Sequence, residues 1–108
     1  MKAVVCQNTE LQVVELPEPV PAKGQALVEV LRCGICGSDL HMRHHCDEFK
    51  AVVDKVGFGK VLPFSSDPVV FGHELCAEVL EYGAGCDKKI KPGTRVVAQP
   101  LLRIGDAI

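Results

Sequence analysis

The chain has 108 residues, 47% of them hydrophobic, which is enough for one domain with a buried core. Its formal net charge of −2 at pH 7 does not favour nucleic acid or an anionic membrane as partner, since both attract strongly basic proteins. Polar residues interrupt the N-terminus before a signal-peptide core forms, and no run of about 18 apolar residues is present to span a membrane. We therefore expect a cytoplasmic protein without nucleic-acid or membrane partners.

Short segments rich in Val and Leu, separated by Gly, Pro and polar residues, predict a mainly β fold. The predicted strands are 1–6, 11–16, 25–33, 74–82 and 94–99. Both faces of the segment 25–33 carry apolar residues, which fits a strand in a curled sheet or barrel.

The hydrophobic period changes in the middle of the chain. Four apolar residues recur there at the spacing of one helical stripe: Phe49, Val52, Val53 and Val56. We therefore predict a short helix at 47–56 that buries this stripe, preceded by a helical turn at 38–42 and followed by a loop at 57–68.

The six cysteines occur without a secretion signal, so we expect them to be reduced. Most are expected to be small buried hydrophobes: Cys6, Cys33, Cys76 and Cys86. A further cysteine belongs to a group with three histidines, namely His41, His44, His45 and Cys46. We interpret this group as a solvated cluster at a helix start, with a second metal site as the alternative.

Two short stretches carry reactive side chains next to predicted strand ends. Residues 33–41 (CGICGSDLH) follow one strand and hold two thiols, a hydroxyl, a carboxylate and an imidazole, while residues 71–74 (FGHE) precede another. Zinc takes Cys, His and carboxylate ligands, and catalytic zinc sites keep three protein ligands and one open position. We expect Cys36 and His73 to lie within a few ångströms of a common point at one end of a barrel.

The spacing Cys33-x-x-Cys36 alone also fits a zinc knuckle or a thiol redox pair. A structural zinc site usually shows a second pair at similar spacing, and a thioredoxin-like motif needs a βαβ context. Neither feature occurs in this sequence, so both interpretations are incomplete.

The string of residues 34–41 resembles the catalytic-zinc motif of the zinc-dependent medium-chain alcohol dehydrogenases. The segment 72–74, Gly83 and the turn 91–96 follow in that family's order, so the resemblance covers nearly the whole chain. It implies a GroES-like, partly closed β-barrel with one or two short helices. We expect residues 1–108 to be an incomplete catalytic domain, apparently truncated, without the family's nucleotide-binding domain.

The resemblance also implies a metal site. Cys36 and His73 match zinc ligands, and Glu74 matches a glutamate that approaches or coordinates the metal in some relatives. Asp39 matches a carboxylate that orients the histidine ligand. The family's third zinc ligand lies beyond the matched region, so no residue here fills that position.

Two further residues are implied in proton transfer. Ser38 matches the hydroxyl that takes the proton from the alcohol, and His41 lies at the outer end of that relay. The implied chemistry is zinc acting as Lewis acid on an alcohol or carbonyl substrate, with hydride transfer to NAD or NADP in the parent enzyme. We expect the parent to be a homo-oligomer.

No dinucleotide fingerprint accompanies these motifs. Gly57-Phe58-Gly59 lacks a third glycine and a surrounding βαβ unit. We therefore expect the isolated chain to be inactive. The alternatives are a non-catalytic zinc-binding or interaction module, and a zinc-free reductase of the same superfamily.

Overall fold

A computed structural model describes residues 1–57 and 63–100 of the chain. Its elements are β1 (Lys2–Gln7), β2 (Glu10–Glu15), β3 (Ala26–Gly34), α1 (Gly37–Lys55), β4 (Val69–Val70), β5 (Glu74–Tyr82) and β6 (Arg95–Val97). The mainly β fold is confirmed, and the sequence did not predict β4. The second glycine of Gly57-Phe58-Gly59 and the apolar tail 101–108 lie outside the described residues. Within those residues, no helix is long and apolar enough to cross a bilayer.

The chain divides into two compact units, each built from two chain segments. The first unit comprises Met1–Glu18 and Ile35–Gly72, and the second comprises Pro19–Gly34 and His73–Ile108. Each unit contains one three-stranded antiparallel sheet, with strand order β2-β1-β4 in the first and β3-β5-β6 in the second. The strands that the structure describes therefore form two sheets and not one closed barrel.

In the first unit, a two-residue turn joins β1 to β2. Asn8 and Thr9 both have positive φ, 49° and 68°, as a type I′ hairpin turn requires. Positive φ is uncommon for a β-branched residue such as threonine. The Arg43 side chain of α1 donates to the Thr9 carbonyl oxygen at 2.6 Å, which holds this turn against the helix.

The predicted start of the helix is wrong. The helix begins at Gly37, and the predicted turn at 38–42 is its first part, continuous with the predicted 47–56 helix. Only at His45 does the backbone leave the helical region, with φ −128° and ψ 24°, so α1 is a kinked helix. At its start, a carboxylate oxygen of Asp39 accepts the Cys36 N–H at 3.1 Å and satisfies a donor that the helix leaves unpaired.

The prediction that 47–56 buries an apolar stripe is also wrong. Phe49, Val52 and Val56 are 42%, 60% and 65% exposed. The buried residues of α1 are instead Cys46 and Lys50. They are one helical turn apart and so lie on a common face.

Lys50 tolerates burial because its ammonium has partners. Its Nζ lies 4.7 Å from the centroid of the Phe64 ring and 3.4 Å from Oδ1 of Asp54. A lysine stem can cover apolar surface while its charged end is paired, and a cation over an aromatic face is attracted to the ring. Tertiary contacts, and not the spacing of apolar residues, therefore determine which face of α1 is buried.

Hydrogen bonds hold residues 63–65, which follow α1 in the sequence, against the helix. Oδ1 of Asp47 accepts the Ser65 N–H at 2.7 Å, and Oδ2 accepts the Ser65 hydroxyl at 2.6 Å. Cys46 Sγ donates to the Pro63 carbonyl oxygen at 3.4 Å. The two donors from Ser65 lower the pKa of the Asp47 carboxyl below its ordinary value, because they favour its charged form.

In the second unit, β5 is the central strand. Ala77 is fully buried and Val79 is 3% exposed, so the core of this unit lies along β5. Where β5 ends, the Gly83 N–H donates to the Gln25 carbonyl oxygen at 2.9 Å. A Cβ at Gly83 would collide with the Ala22 carbonyl oxygen, so only glycine fits this crossing.

Predicted burial of the cysteines is confirmed for Cys6, which is 7% exposed, whereas Cys76 and Cys86 are half-buried. The prediction is wrong for Cys33, which is exposed on β3. Both faces of the β3 segment carry apolar residues, so the sequence did not indicate which face is buried.

Ser65→Ala should lower the urea midpoint of unfolding at pH 7, because it removes the hydroxyl that donates to Asp47. The folded pKa of Asp47 lies below the unfolded one, so this contribution is complete above about pH 4 and is lost as the pH falls through the folded pKa. The difference in urea midpoint between the variant and the parent chain should therefore narrow as the pH is lowered below about 4. Ser66→Ala is the matched control, since Ser66 contributes its carbonyl oxygen to Gln7. Equal loss in both variants would contradict this role of Ser65.

Candidate metal centre

The last rung of the β3–β5 ladder carries one of the candidate ligands. Gly34 at the end of β3 pairs with Glu74 at the start of β5. A Cβ at Gly34 would lie 2.9 Å from Oε2 of Glu74 and 3.4 Å from its Cβ. Glycine at position 34 therefore leaves room for the Glu74 carboxylate beside the strand end.

The second candidate ligand is adjacent in the chain. His73 directly precedes β5 and is half-buried, whereas Glu74 is exposed. A ring nitrogen of His73 and a carboxylate oxygen of Glu74 lie within 4.8 Å of each other. Imidazole nitrogen and carboxylate oxygen are both ordinary zinc ligands.

The thiol candidate stands at the start of α1. Cys36 is the N-cap residue, with extended backbone (φ −89°, ψ 149°), and its side chain is half-buried. Its N–H is held by Asp39, which fixes the backbone from which the thiol projects. An anionic ligand such as a thiolate is favoured at a helix N-terminus by the unpaired N–H groups there.

The remaining predicted site residues follow in the first two turns of α1. Ser38 is exposed and Asp39 is half-buried. The observed contact of Asp39 is with the Cys36 backbone, and its predicted action on the histidine ligand stays a prediction. His41 is exposed, and its ring stacks on that of His45 with centroids 4.8 Å apart and planes at 30°.

Sequence reasoning missed two features of this helix. The Glu48 carboxylate lies 3.1 Å from Nδ1 of His45, a pairing that the spacing of three residues permits but that no motif indicated. Cys46 was expected in a solvated cluster, and this is wrong, since it is 9% exposed. Burial raises the pKa of the Cys46 thiol, with the neighbouring Asp47 charge adding to the effect, so this sulfur is kept protonated.

Comparison with known proteins gives a consistent result. Residues 22–107 match the profile of the alcohol dehydrogenase GroES-like domain. The chain is 36% identical over 107 residues to L-threonine 3-dehydrogenase of Streptomyces coelicolor, covering 97% of this chain and 28% of that protein. It is 35% identical over 104 residues to (R,R)-butanediol dehydrogenase of Bacillus subtilis, covering 94% and 28%.

Among solved structures, the chain is similar to a protein of Sinorhizobium meliloti 1021 described as a zinc-binding dehydrogenase bound to NADP. The TM-score is 0.62 at 33% identity, over 87% of this chain and 23% of that one. The chain thus spans about a quarter of the length of these relatives.

The chain belongs to the alcohol dehydrogenase GroES-like domain family, within the medium-chain dehydrogenase/reductase superfamily. The family predicted from residues 34–41 and 72–74 is therefore confirmed, as is the GroES-like fold.

Asp39→Ala should loosen the start of α1. Losing the acceptor of the Cys36 N–H is expected to lower the free energy of unfolding by about 1 kcal/mol and to speed hydrogen exchange at the Cys36 amide. Asp39→Asn retains an acceptor oxygen and should keep most of the protection. Exchange at the parent rate in both variants would show that Asp39 does not hold this N-terminus.

Proposed function

We propose that this chain is the catalytic-domain part of a zinc-dependent dehydrogenase that interconverts an alcohol and a carbonyl compound with NAD or NADP. Two relatives named above are dehydrogenases of small hydroxy compounds, and the similar solved structure is bound to NADP. The observation that carries the proposal is the pairing of Gly34 with Glu74, because it joins the ends of the two motifs.

The pairing limits how far apart the proposed ligands can be. Antiparallel partners such as Gly34 and Glu74 have Cα atoms about 4.5–5.5 Å apart. Cys36 follows Gly34 by two residues, so its Cα lies within about 7.6 Å of that of Gly34. His73 is covalently adjacent to Glu74. This connectivity supports a site in which Cys36, His73 and Glu74 bind one ion.

The chemistry of these donors supports zinc. A thiol, an imidazole and a carboxylate match the ligand types of catalytic zinc, which is borderline soft and prefers such mixed sets. When bound, zinc would supply Lewis-acid polarisation of the substrate oxygen. The family's third ligand and its nucleotide site have no match in this sequence, and the chain spans only 28% of each of the two dehydrogenases named above.

The protein's own contribution to proton transfer would come from the first turns of α1. Ser38 and His41 are three residues apart on the helix, where side chains are neighbours. We assign the Ser38 hydroxyl to receive the substrate proton and the His41 imidazole to pass it to water. Both side chains are exposed, so a path to solvent is open from either. Asp39 would hold Cys36, a proposed ligand, in position because its carboxylate accepts a hydrogen bond from the Cys36 backbone N–H.

Zinc binding tests the ligand assignment. Cys36→Ser should weaken zinc binding to the 108-residue chain by at least about tenfold, since even loss of an outer hydrogen-bond partner of a metal ligand costs 10–100-fold. Cys33→Ser is the matched control, because Cys33 is exposed on β3 and is not among the proposed ligands. Calorimetric titration measures both, and a cobalt-loaded chain should lose its thiolate charge-transfer absorption only in Cys36→Ser. Binding should weaken in both the parent chain and Cys33→Ser as the pH falls, because protons compete for thiolate and imidazole.

Three outcomes would contradict the assignment. Equal loss in the two cysteine variants would indicate a Cys33–Cys36 knuckle. Unchanged binding in Cys36→Ser would exclude the thiol as a ligand. If the unsubstituted 108-residue chain binds no zinc, the result would favour the alternative that the chain is part of a zinc-free reductase.

The isolated 108-residue chain should not reduce NAD or NADP in the presence of secondary alcohols or vicinal diols. The reason is that its sequence contains no dinucleotide fingerprint with which to hold the nicotinamide. Absorbance of the reduced nicotinamide is the measurement. Zinc-dependent turnover by this chain would show that the catalytic unit is smaller than proposed.

A further inference from the structure

Three exposed side chains of α1 are joined by two contacts, both of which involve His45. The rings of His41 and His45 stack at 4.8 Å between centroids, and Nδ1 of His45 lies 3.1 Å from Oε2 of Glu48. The His45 and Glu48 side chains are 46% and 80% exposed, and His41 is exposed as well. All three lie in one unit of the fold and none belongs to the ligand set proposed for zinc.

The contact with Glu48 prepares His45 to act as a ligand. A carboxylate can only accept, so the hydrogen bond requires the proton on Nδ1 of His45. In the neutral ring, Nε2 then keeps its lone pair. Histidines that bind metal ions almost always donate their other ring N–H to a carboxylate, carbonyl or water in this way, which fixes the tautomer and raises the basicity of the ligand nitrogen.

The spacing of the two histidines is also that of a metal-binding pair. Two histidines four residues apart on one helix present both imidazoles on the same face, as in helical zinc motifs. The kink at His45 does not separate the rings, since their centroids are 4.8 Å apart. Turning a nitrogen of His41 towards an ion on Nε2 of His45 requires rotation about χ2 of His41, a broad torsion in histidine, while His45 keeps its contact with Glu48.

We propose that His41 and His45, with Glu48 orienting His45, bind a divalent ion of the nickel, copper and zinc group at the exposed face of α1. Imidazole suits these ions, and water completes the coordination at a site this open to solvent. The ligands of this site and those of the proposed zinc centre are different residues. His41 is also the outer residue of the proposed proton relay, so a metal ion bound to its imidazole would block that relay step for as long as it stays bound.

Calorimetric titration of Ni²⁺ into the Cys36→Ser chain tests the proposal without the thiol of the other centre. We expect one ion to bind. His45→Ala should weaken binding by more than about tenfold, and Glu48→Gln by about tenfold, since loss of such a partner costs 10–100-fold. His44→Ala is the matched control, because the ring contact pairs His41 with His45 and not with His44. The chain with His44→Ala should bind Ni²⁺ as tightly as the Cys36→Ser chain without it. Circular dichroism verifies the helix content of each variant.

A second measurement does not depend on any variant. On addition of Zn²⁺ to the parent chain, the ring resonances of His41 and His45 should shift together with one midpoint, while those of His44 stay in place. Unchanged Ni²⁺ binding in His45→Ala, equal loss in His44→Ala and His45→Ala, or a zinc-dependent shift of His44 without His45 would each overturn the proposal.

Discussion

The register between β3 and β5 is the constraint on which the candidate centre depends. Antiparallel pairing places Gly34 opposite Glu74 at one end of the ladder, although thirty-nine residues lie between them in the sequence. The register is held by the buried residues Ala77 and Val79, because a slip by one residue would turn Glu78 towards the core and these two outward. Irregularities between Leu27 and Val28, and between Val30 and Arg32, adjust the ladder without losing its last pair. The core of this sheet thus positions a carboxylate that is itself exposed.

The start of α1 is the second fixed point. Cys36 has a structural role that is observed, since its backbone caps α1, and its thiol is the metal ligand that we propose. Asp39 is involved as well, because its carboxylate accepts the Cys36 N–H, and it follows Ser38 of the proposed proton path directly in the chain. The same residues therefore cap the helix and belong to the proposed site. A substitution that weakens the cap would also displace the proposed ligand.

The sequence predicted five of the six strands in the described residues, all but β4, and it predicted the motifs, but it did not predict the buried face of the helix. Alternating residues predict strands well, because the two faces of a strand repeat every second residue whatever its neighbours are. The helix start was missed because Cys36 is not among the usual N-cap residues. Burial of Lys50 depends on the ring of Phe64 and the carboxylate of Asp54, and only the folded chain brings that ring to it. The pairing of His45 with Glu48 was missed for the opposite reason, since many pairs have this spacing and few make the contact.

The kink at His45 divides α1 into two segments, each with its own anchoring contact. At His45 the backbone leaves the helical dihedral angles, so the helix segment before His45 and the segment after it meet at a kink. The segment before the kink, which Cys36 caps, is anchored by Arg43 to the β1–β2 turn. The segment after the kink is anchored by the contact between Asp47 and Ser65. Loss of the Asp47–Ser65 contact would therefore act directly on the segment after the kink, and the contact of Arg43 with the β1–β2 turn would still hold the segment before it.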